Sequence, residues 1–418
     1  MLTFLQPSQM ENDQIYMLSL RPFYQRLNNI INAIEKTGEV SVDVLTTLKE
    51  SLNNQVFLTS IYSPGLNYFA IDLTTYVSNG LSYKLDESEL INKLMASENI
   101  QKFISYFILP CAKNGIEIKT VILSTSEGVI EFPGLNYVIN TPEKSTYHLI
   151  STDVNKITIN IGTEIVAEIP INNTNSPYFG NADFSIEKNS LKTIDDISLT
   201  FSDPLISKCL TNNFKNLNVR KSNENNLLSN IEFTMNDHLY YKSCLELIAE
   251  IWPEYYKEIT SHIKLIAIMD TDAFGGFTAN LLPDAIFLSH HPNDFLWVTE
   301  NIVHECAHSR LEQLFVIDPI VLNEHTEKFN SPWREDLRPM KGVYHGVFAF
   351  TRIAMWLERL YKVYPVASIS ERLELVLQQL EQGIAVISQS AKLSPIGEHI
   401  FNEIRIIVDK NKKLEETT

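Results

Sequence analysis

Residues 293–314, NDFLWVTENIVHECAHSRLEQL, constrain this chain more than any other stretch. They read as one amphipathic helix that starts at Pro292 and Asn293. Leu296, Val303, Ala307, Leu311 and Leu314 form its apolar stripe. The same helix carries H-E-x-x-H as His304, Glu305 and His308. Residues four apart lie on one helix face, one turn from each other, so both imidazoles can reach a single metal ion. Glu305 stands beside them, where a carboxylate can touch a metal-bound water or orient a ligand.

A closed metal site needs at least one more protein ligand. Leu311 and Leu314 occupy the positions at which the longer HExxHxxGxxH pattern places its glycine and third histidine, so that version is absent. Glu324, His325 and Glu327 lie in a polar run and read as solvated side chains. His290 and His291 fit a loop ahead of the helix. His345 is the favoured third ligand. It sits near the start of an otherwise apolar helix over residues 342–363, and Gly346 beside it permits close helix approach. Trp333, Arg334 and Arg338 precede it in SPWREDLRPM. Arg352 follows seven residues later on the same face, about 10 Å along the axis. An arginine near a metal can hold a carboxylate through paired hydrogen bonds. That carboxylate can belong to a small ligand, or to Glu335 or Asp336.

Charge narrows the partners. The chain has 418 residues, a net charge of -17 and 20% charged residues. Nucleic acid and anionic membrane both need a basic surface, so neither is expected as the main partner. Four widely spaced cysteines (Cys111, Cys209, Cys244 and Cys306) suggest neither a thiolate zinc site nor a disulfide framework, and a reducing cytoplasmic setting fits. No signal peptide and no membrane-length apolar run is read.

The rest of the chain suggests three regions. Residues 1–110 read as helical, with helices over 12–37 (interrupted by Pro22), 42–52 and 87–106, and a loop at 63–67. Residues 111–230 read as β-rich and antiparallel. KITINIGTEIVAEI resembles a hairpin turning at Gly162–Thr163, His148 is a structural or exposed histidine in a strand, and the Asn-rich run 212–230 serves as a linker. Residues 231–418 read as the metal-binding domain. It contains a helix over 237–262 kinked at Pro253 and a buried strand at 264–270. FTANLLPDAIFLS, with Pro283 inside it, reads as an edge strand or a bent pair suited to adding an extended peptide. A polar loop at 323–339 follows, then helices over 342–363, 369–391 and 397–409 and a disordered charged tail. The fold class expected is α+β: a zincin-like, mostly helical catalytic domain with a small mixed sheet, preceded by helical and antiparallel β-rich regions.

WVTENIVHECAH together with the later SPWREDLRPMKGVYHGVFAF resembles the HExxH-motif peptide-modification proteins, iron(II)- and 2-oxoglutarate-dependent peptide β-hydroxylases of ribosomal peptide natural product pathways. The resemblance covers residues 278–356. It implies that His304, His308 and His345 bind the metal and that Glu305 lies just outside it or touches the bound water. Arg338, or else Arg334 or Arg352, would anchor the 2-oxoglutarate carboxylate. The substrate implied is a side-chain β-carbon of a ribosomally made precursor peptide. Three imidazoles depart from the usual two-histidine, one-carboxylate set of such iron enzymes. The same helix also suits a zinc metallopeptidase, with Glu305 as general base and His345 or Glu324 as third ligand. A third reading makes the helix pair a peptide-binding scaffold with no need of Glu305. The β-rich middle region is, by position, a candidate surface for leader-peptide binding or homodimer formation.

Overall fold

The structure, a computed structural model, describes residues 4–200, 234–269 and 275–415, apart from residues 8, 79–80, 97, 126–127, 134–136, 155, 162, 172–177, 180–184, 189–191, 195–196, 280–281 and 283. The chain is a mixture of helix and sheet, as an α+β class requires. It divides into two units, but not at the boundaries the sequence suggested. One unit comprises residues 22–191, and the other comprises residues 1–21 with 192–418. The first helix, α1 (Gln9–Ser19), therefore belongs with the HExxH unit, and the helical and β-rich regions share the other.

In the unit of residues 22–191 the helices are α2 (Arg21–Thr37), α3 (Val42–Ser51), α4 (Gln55–Ile61), α5 (Pro64–Thr74), α6 (Glu87–Met95) and α7 (Asn99–Lys113). The chain breaks between α1 and α2 just before Pro22, which lacks the N–H a continuous helix would use. The expected loop at 63–67 is instead the start of α5. Ser63 accepts a hydrogen bond from the Leu66 backbone N–H and Pro64 supplies a preset first turn, so a Ser-Pro-Gly run here begins a helix. A short hairpin, β1 (Thr75–Ser78) and β2 (Leu81–Lys84), follows α5. Beyond α7 lie β3 (Lys119–Leu123), β4 (Val129–Glu131), β5 (Tyr137–Asn140), β6 (Tyr147–Asp153), β7 (Lys156–Ile161), β8 (Glu164–Pro170), β9 (Tyr178–Phe179) and β10 (Ser185–Lys188). They build an antiparallel sheet of order β3-β6-β7-β8-β9 and a smaller one of order β10-β5-β4. β7 and β8 pair as the expected hairpin, with Ile161 opposite Glu164; Gly162 lies outside the described residues. His148 is buried in β6. The proposed linker at 212–230 lies outside the described residues.

The HExxH unit is built on β11 (Lys192–Ile194), β12 (Ile197–Thr200), α8 (Met235–Ile251), α9 (Pro253–His262), β13 (Leu265–Met269), β14 (Gly276–Thr278) and β15 (Ala285–Ser289). Strand order is β11-β12-β13-β15-β14. The central pairs are parallel, and β11 and β14 close the edges antiparallel. Every residue of β13 and β15 is buried, which suits parallel strands covered on both faces. The run with Pro283 thus forms a bent pair. Only β14 is an edge, while β15 is interior, and the chain turns between them at Asp284 with a φ of 65°.

Three long helices and a hairpin complete this unit. α10 (Phe295–Ile317) is the HExxH helix. Its N-cap is Asp294, which accepts a hydrogen bond from the Trp297 N–H, so the helix begins two residues later than Pro292 and Asn293 suggested. The expected polar loop is a hairpin, β16 (Lys328–Ser331) and β17 (Arg334–Pro339), which leads into α11 (Met340–Val363). α12 (Ala367–Ser390) and α13 (Pro395–Glu415) follow, and α13 continues as helix through residues 410–415, where a disordered tail was expected. Val303, Ala307, Leu311 and Leu314 are buried as the stripe predicts, and Leu296 packs at its margin.

A buried ion pair lies within this core. Arg352 on α11 is fully buried and donates from Nη1 to Glu258 on α9 at 3.0 Å, and from Nη2 to the other carboxylate oxygen and the Phe4 carbonyl, each at 3.4 Å. Glu403 on α13 accepts from the Phe4 and Leu5 backbone N–H groups at 3.0 and 3.1 Å. The start of the chain is thereby tied into the core. Cys111, Cys244 and Cys306 are free and buried; Cys209 lies outside the described residues. Among the described residues, no helix is long and apolar enough to cross a membrane.

Candidate metal centre

The two motif histidines meet. His304 Nε2 and His308 Nε2 lie 3.0 Å apart on adjacent turns of α10. Two nitrogens at right angles around one ion, each about 2.1 Å from it, would stand about 3.0 Å apart, so the pair fits cis coordination. His345, from α11, reaches His308 from the other side: its Nδ1 lies 3.2 Å from His308 Nδ1. His308 therefore stands between the other two rings, facing each with a different nitrogen. The three histidines form a row, and among the described residues no three His, Cys, Asp or Glu side chains converge as a ready-made metal cage.

Burial sets the chemistry of these rings. His304 is pushed down to about 4 by burial first, then by the charges of Arg372, Arg334 and His345. His308 is held well below the usual histidine range by burial and its histidine neighbours. Both shifts favour the neutral imidazole, the form that binds a metal. A divalent cation takes neutral imidazole nitrogens, and the His304–His308 pair presents two of them.

His345 is gripped from behind. Its ring stacks flat on Phe315, 5.3 Å between centroids and 2° from parallel. Its Nε2 lies 3.0 Å from Glu312 Oε1, close in distance but too poorly aligned to count as a formed hydrogen bond. Lys341 sits 3.1 Å from the same carboxylate oxygen and 4.1 Å over the Phe315 ring. Burial opposes ionisation of Glu312, yet His345 and Lys341 outweigh it and lower its pKa. The sequence reading overlooked Glu312, although its position four residues after His308 was a signal. Glu300, His304, His308 and Glu312 fall at intervals of four along one helix face. Eight residues separate Glu312 from His304, about 12 Å of helix, so they cannot share one ion, and Glu312 acts on His345 instead. Glu312→Gln is expected to weaken zinc binding about tenfold, within the 10–100-fold range for partners that orient metal-ligating histidines. Competition against a chromogenic chelator would measure it, and unchanged affinity would remove Glu312 from the site.

Glu305 turns towards the sheet. Its carboxylate accepts a hydrogen bond from Thr278 Oγ1 on β14 at 3.0 Å. Burial raises its pKa to about 8, against the lowering pull of Thr278 and Arg334. Gly276 makes this approach feasible, because a Cβ there would meet the Phe287 carbonyl at 2.8 Å and Glu305 Cγ at 3.0 Å.

The three arginines separate. Arg352 is committed to Glu258 inside the core, so its carboxylate partner is a protein side chain and not a small ligand. Arg338 has Nε 3.3 Å from Asp336. Arg334 is exposed and, among the described residues, its side chain has no hydrogen-bond or ion-pair partner, while its charge reaches His304, Glu305 and His308. Arg372 on α12, which the sequence reading also overlooked, forks onto Glu300, with Nε 3.0 Å from Oε2. Glu327 is taken up by Asn323 and Lys392, and His290 contacts Tyr241 and Asp237, so neither joins the histidine row.

Comparison with protein-family models yields no match for this chain, and comparison with curated proteins yields none either, so the side chains themselves carry the functional argument.

Proposed function

We propose that the protein is an iron(II)- and 2-oxoglutarate-dependent oxygenase that hydroxylates a side-chain β-carbon of a ribosomally made precursor peptide. The observation that carries this reading is Arg334: an exposed guanidinium with no side-chain partner among the described residues, whose charge reaches His304 and His308. A bidentate carboxylate is the partner its fork suits. The zincin-like architecture expected for this unit draws support from the antiparallel edge strand β14 lying beside the HExxH helix.

When bound, iron(II) with 2-oxoglutarate and dioxygen would supply the oxidising power for C–H hydroxylation. His304 and His308 would hold the metal through Nε2, with His345 the third histidine of the site. Arg334 would bind the carboxylate of 2-oxoglutarate remote from the metal. Phe350, edge-on to His304 at 4.9 Å, gives the site an apolar wall that excludes water. β14 would align the peptide through backbone hydrogen bonds, as exposed sheet edges do. A cytoplasmic setting suits such a substrate.

A zinc peptidase remains the second reading, favoured by the position of Glu305 between the histidines and the edge strand. Succinate production separates the two. Protein loaded with iron(II) under nitrogen and then given 2-oxoglutarate and air should form succinate, and His345→Ala should abolish it. Absence of succinate, together with zinc-dependent peptide cleavage that Glu305→Gln removes, would establish the peptidase instead.

A further inference from the structure

The tip of the β16–β17 hairpin is seated on the rest of the unit through the Trp333 ring. Ser331 pairs with Arg334, leaving Pro332 and Trp333 as the turn. A Cβ on Gly346 of α11 would lie 2.6 Å from the Trp333 ring, and one on Gly383 of α12 would lie 3.1 Å from it. Two glycines on two helices therefore make the slot that the indole fills. The ring also stacks on Phe350, 4.6 Å between centroids and 7° from parallel, and Phe350 in turn meets His304. Beyond the tip, Arg334, Glu335, Asp336 and Leu337 are all exposed. Phe329 and Trp333 are the hairpin residues packed against the core, and only Trp333 adjoins Arg334.

We propose that Trp333 is a positioning residue: seated between Gly346 and Gly383, it holds Arg334 at the histidine row and so sets the affinity of the site for a carboxylate-bearing small molecule. This rests on the reading of Arg334 as the carboxylate anchor. Among the described residues the buried indole N–H has no acceptor. The seat thus works by shape and stacking, and a phenylalanine can take over most of it.

Isothermal titration of 2-oxoglutarate into the zinc-loaded protein tests the idea, with zinc affinity and thermal unfolding as controls. Trp333→Ala should weaken 2-oxoglutarate binding by about tenfold or more, the loss expected for a charge-assisted contact, while Trp333→Phe stays within about threefold. Zinc affinity should not change in either. Gly346→Ala, which pushes directly on the ring, should reproduce Trp333→Ala. If Arg334→Ala loses the ligand but Trp333→Ala and Gly346→Ala keep it, Trp333 does not position the arginine and the proposal falls. If Arg334→Ala itself binds 2-oxoglutarate like the wild type, the anchor reading fails and takes the proposal with it. A parallel loss of zinc in Trp333→Ala would show a general structural role and would equally overturn it.

Discussion

Glu258→Ala is expected to destabilise the protein by about 3–5 kcal/mol, the cost of stranding one member of a buried ion pair. The reason is geometric. Arg352 is fully buried, its guanidinium lies 4.9 Å from the Tyr255 ring, and Glu258 is its carboxylate partner. Without Glu258 the guanidinium keeps, among the described residues, only the Phe4 carbonyl as an acceptor, and the charge stays out of water. Urea unfolding followed by circular dichroism would measure the loss. The pair Arg352→Met with Glu258→Leu should be milder than either single change, because replacing both charges by apolar groups removes the desolvation penalty. A double variant as unstable as the sum of its singles would mean that the two residues do not interact.

His308→Ala should abolish metal binding more thoroughly than any other single change. His308 is the middle ring, 3.0 Å from His304 and 3.2 Å from His345 by different nitrogens. Its loss separates the two remaining histidines as well as removing a ligand. Zinc affinity is expected to fall more than about 100-fold, beyond the range of outer partners such as Glu312, and succinate formation should vanish with it. Full metal occupancy in His308→Ala after dialysis would move the metal site elsewhere.

Much of this architecture could be read from local pattern. The HExxH helix, the His345 helix and the β7–β8 hairpin all declare themselves through periodicity and turn residues, since each is specified by neighbours in sequence. α5 was missed because Ser63-Pro64-Gly65 carries both loop and helix-start signals, and only the capping contact decides between them. Arg352 was misleading for a different reason. Its spacing from His345 is helical, but the residue that claims it, Glu258, is 94 positions away, and nothing local marks that pairing. The same holds for Trp333, whose slot needs a glycine from each of two helices. Glu312 was within reach, because the acid-histidine-histidine-acid spacing stands in a single helix; attention to a third metal ligand concealed the value of a residue that steadies one.

The discontinuous HExxH unit bears on how the chain is made. α1 leaves the ribosome well before α10, the helix it packs on, which begins about 280 residues later. At synthesis rates of about 5–20 residues per second, α1 waits roughly 15–55 s for its partner, long enough for residues 22–191 to fold in between. During that interval α1 lacks the helix it packs on and stays open to chaperones and proteases. Newly made protein should thus be most vulnerable around α1, and a stop in translation ahead of α10 would leave residues 22–191 folded beside an orphaned α1.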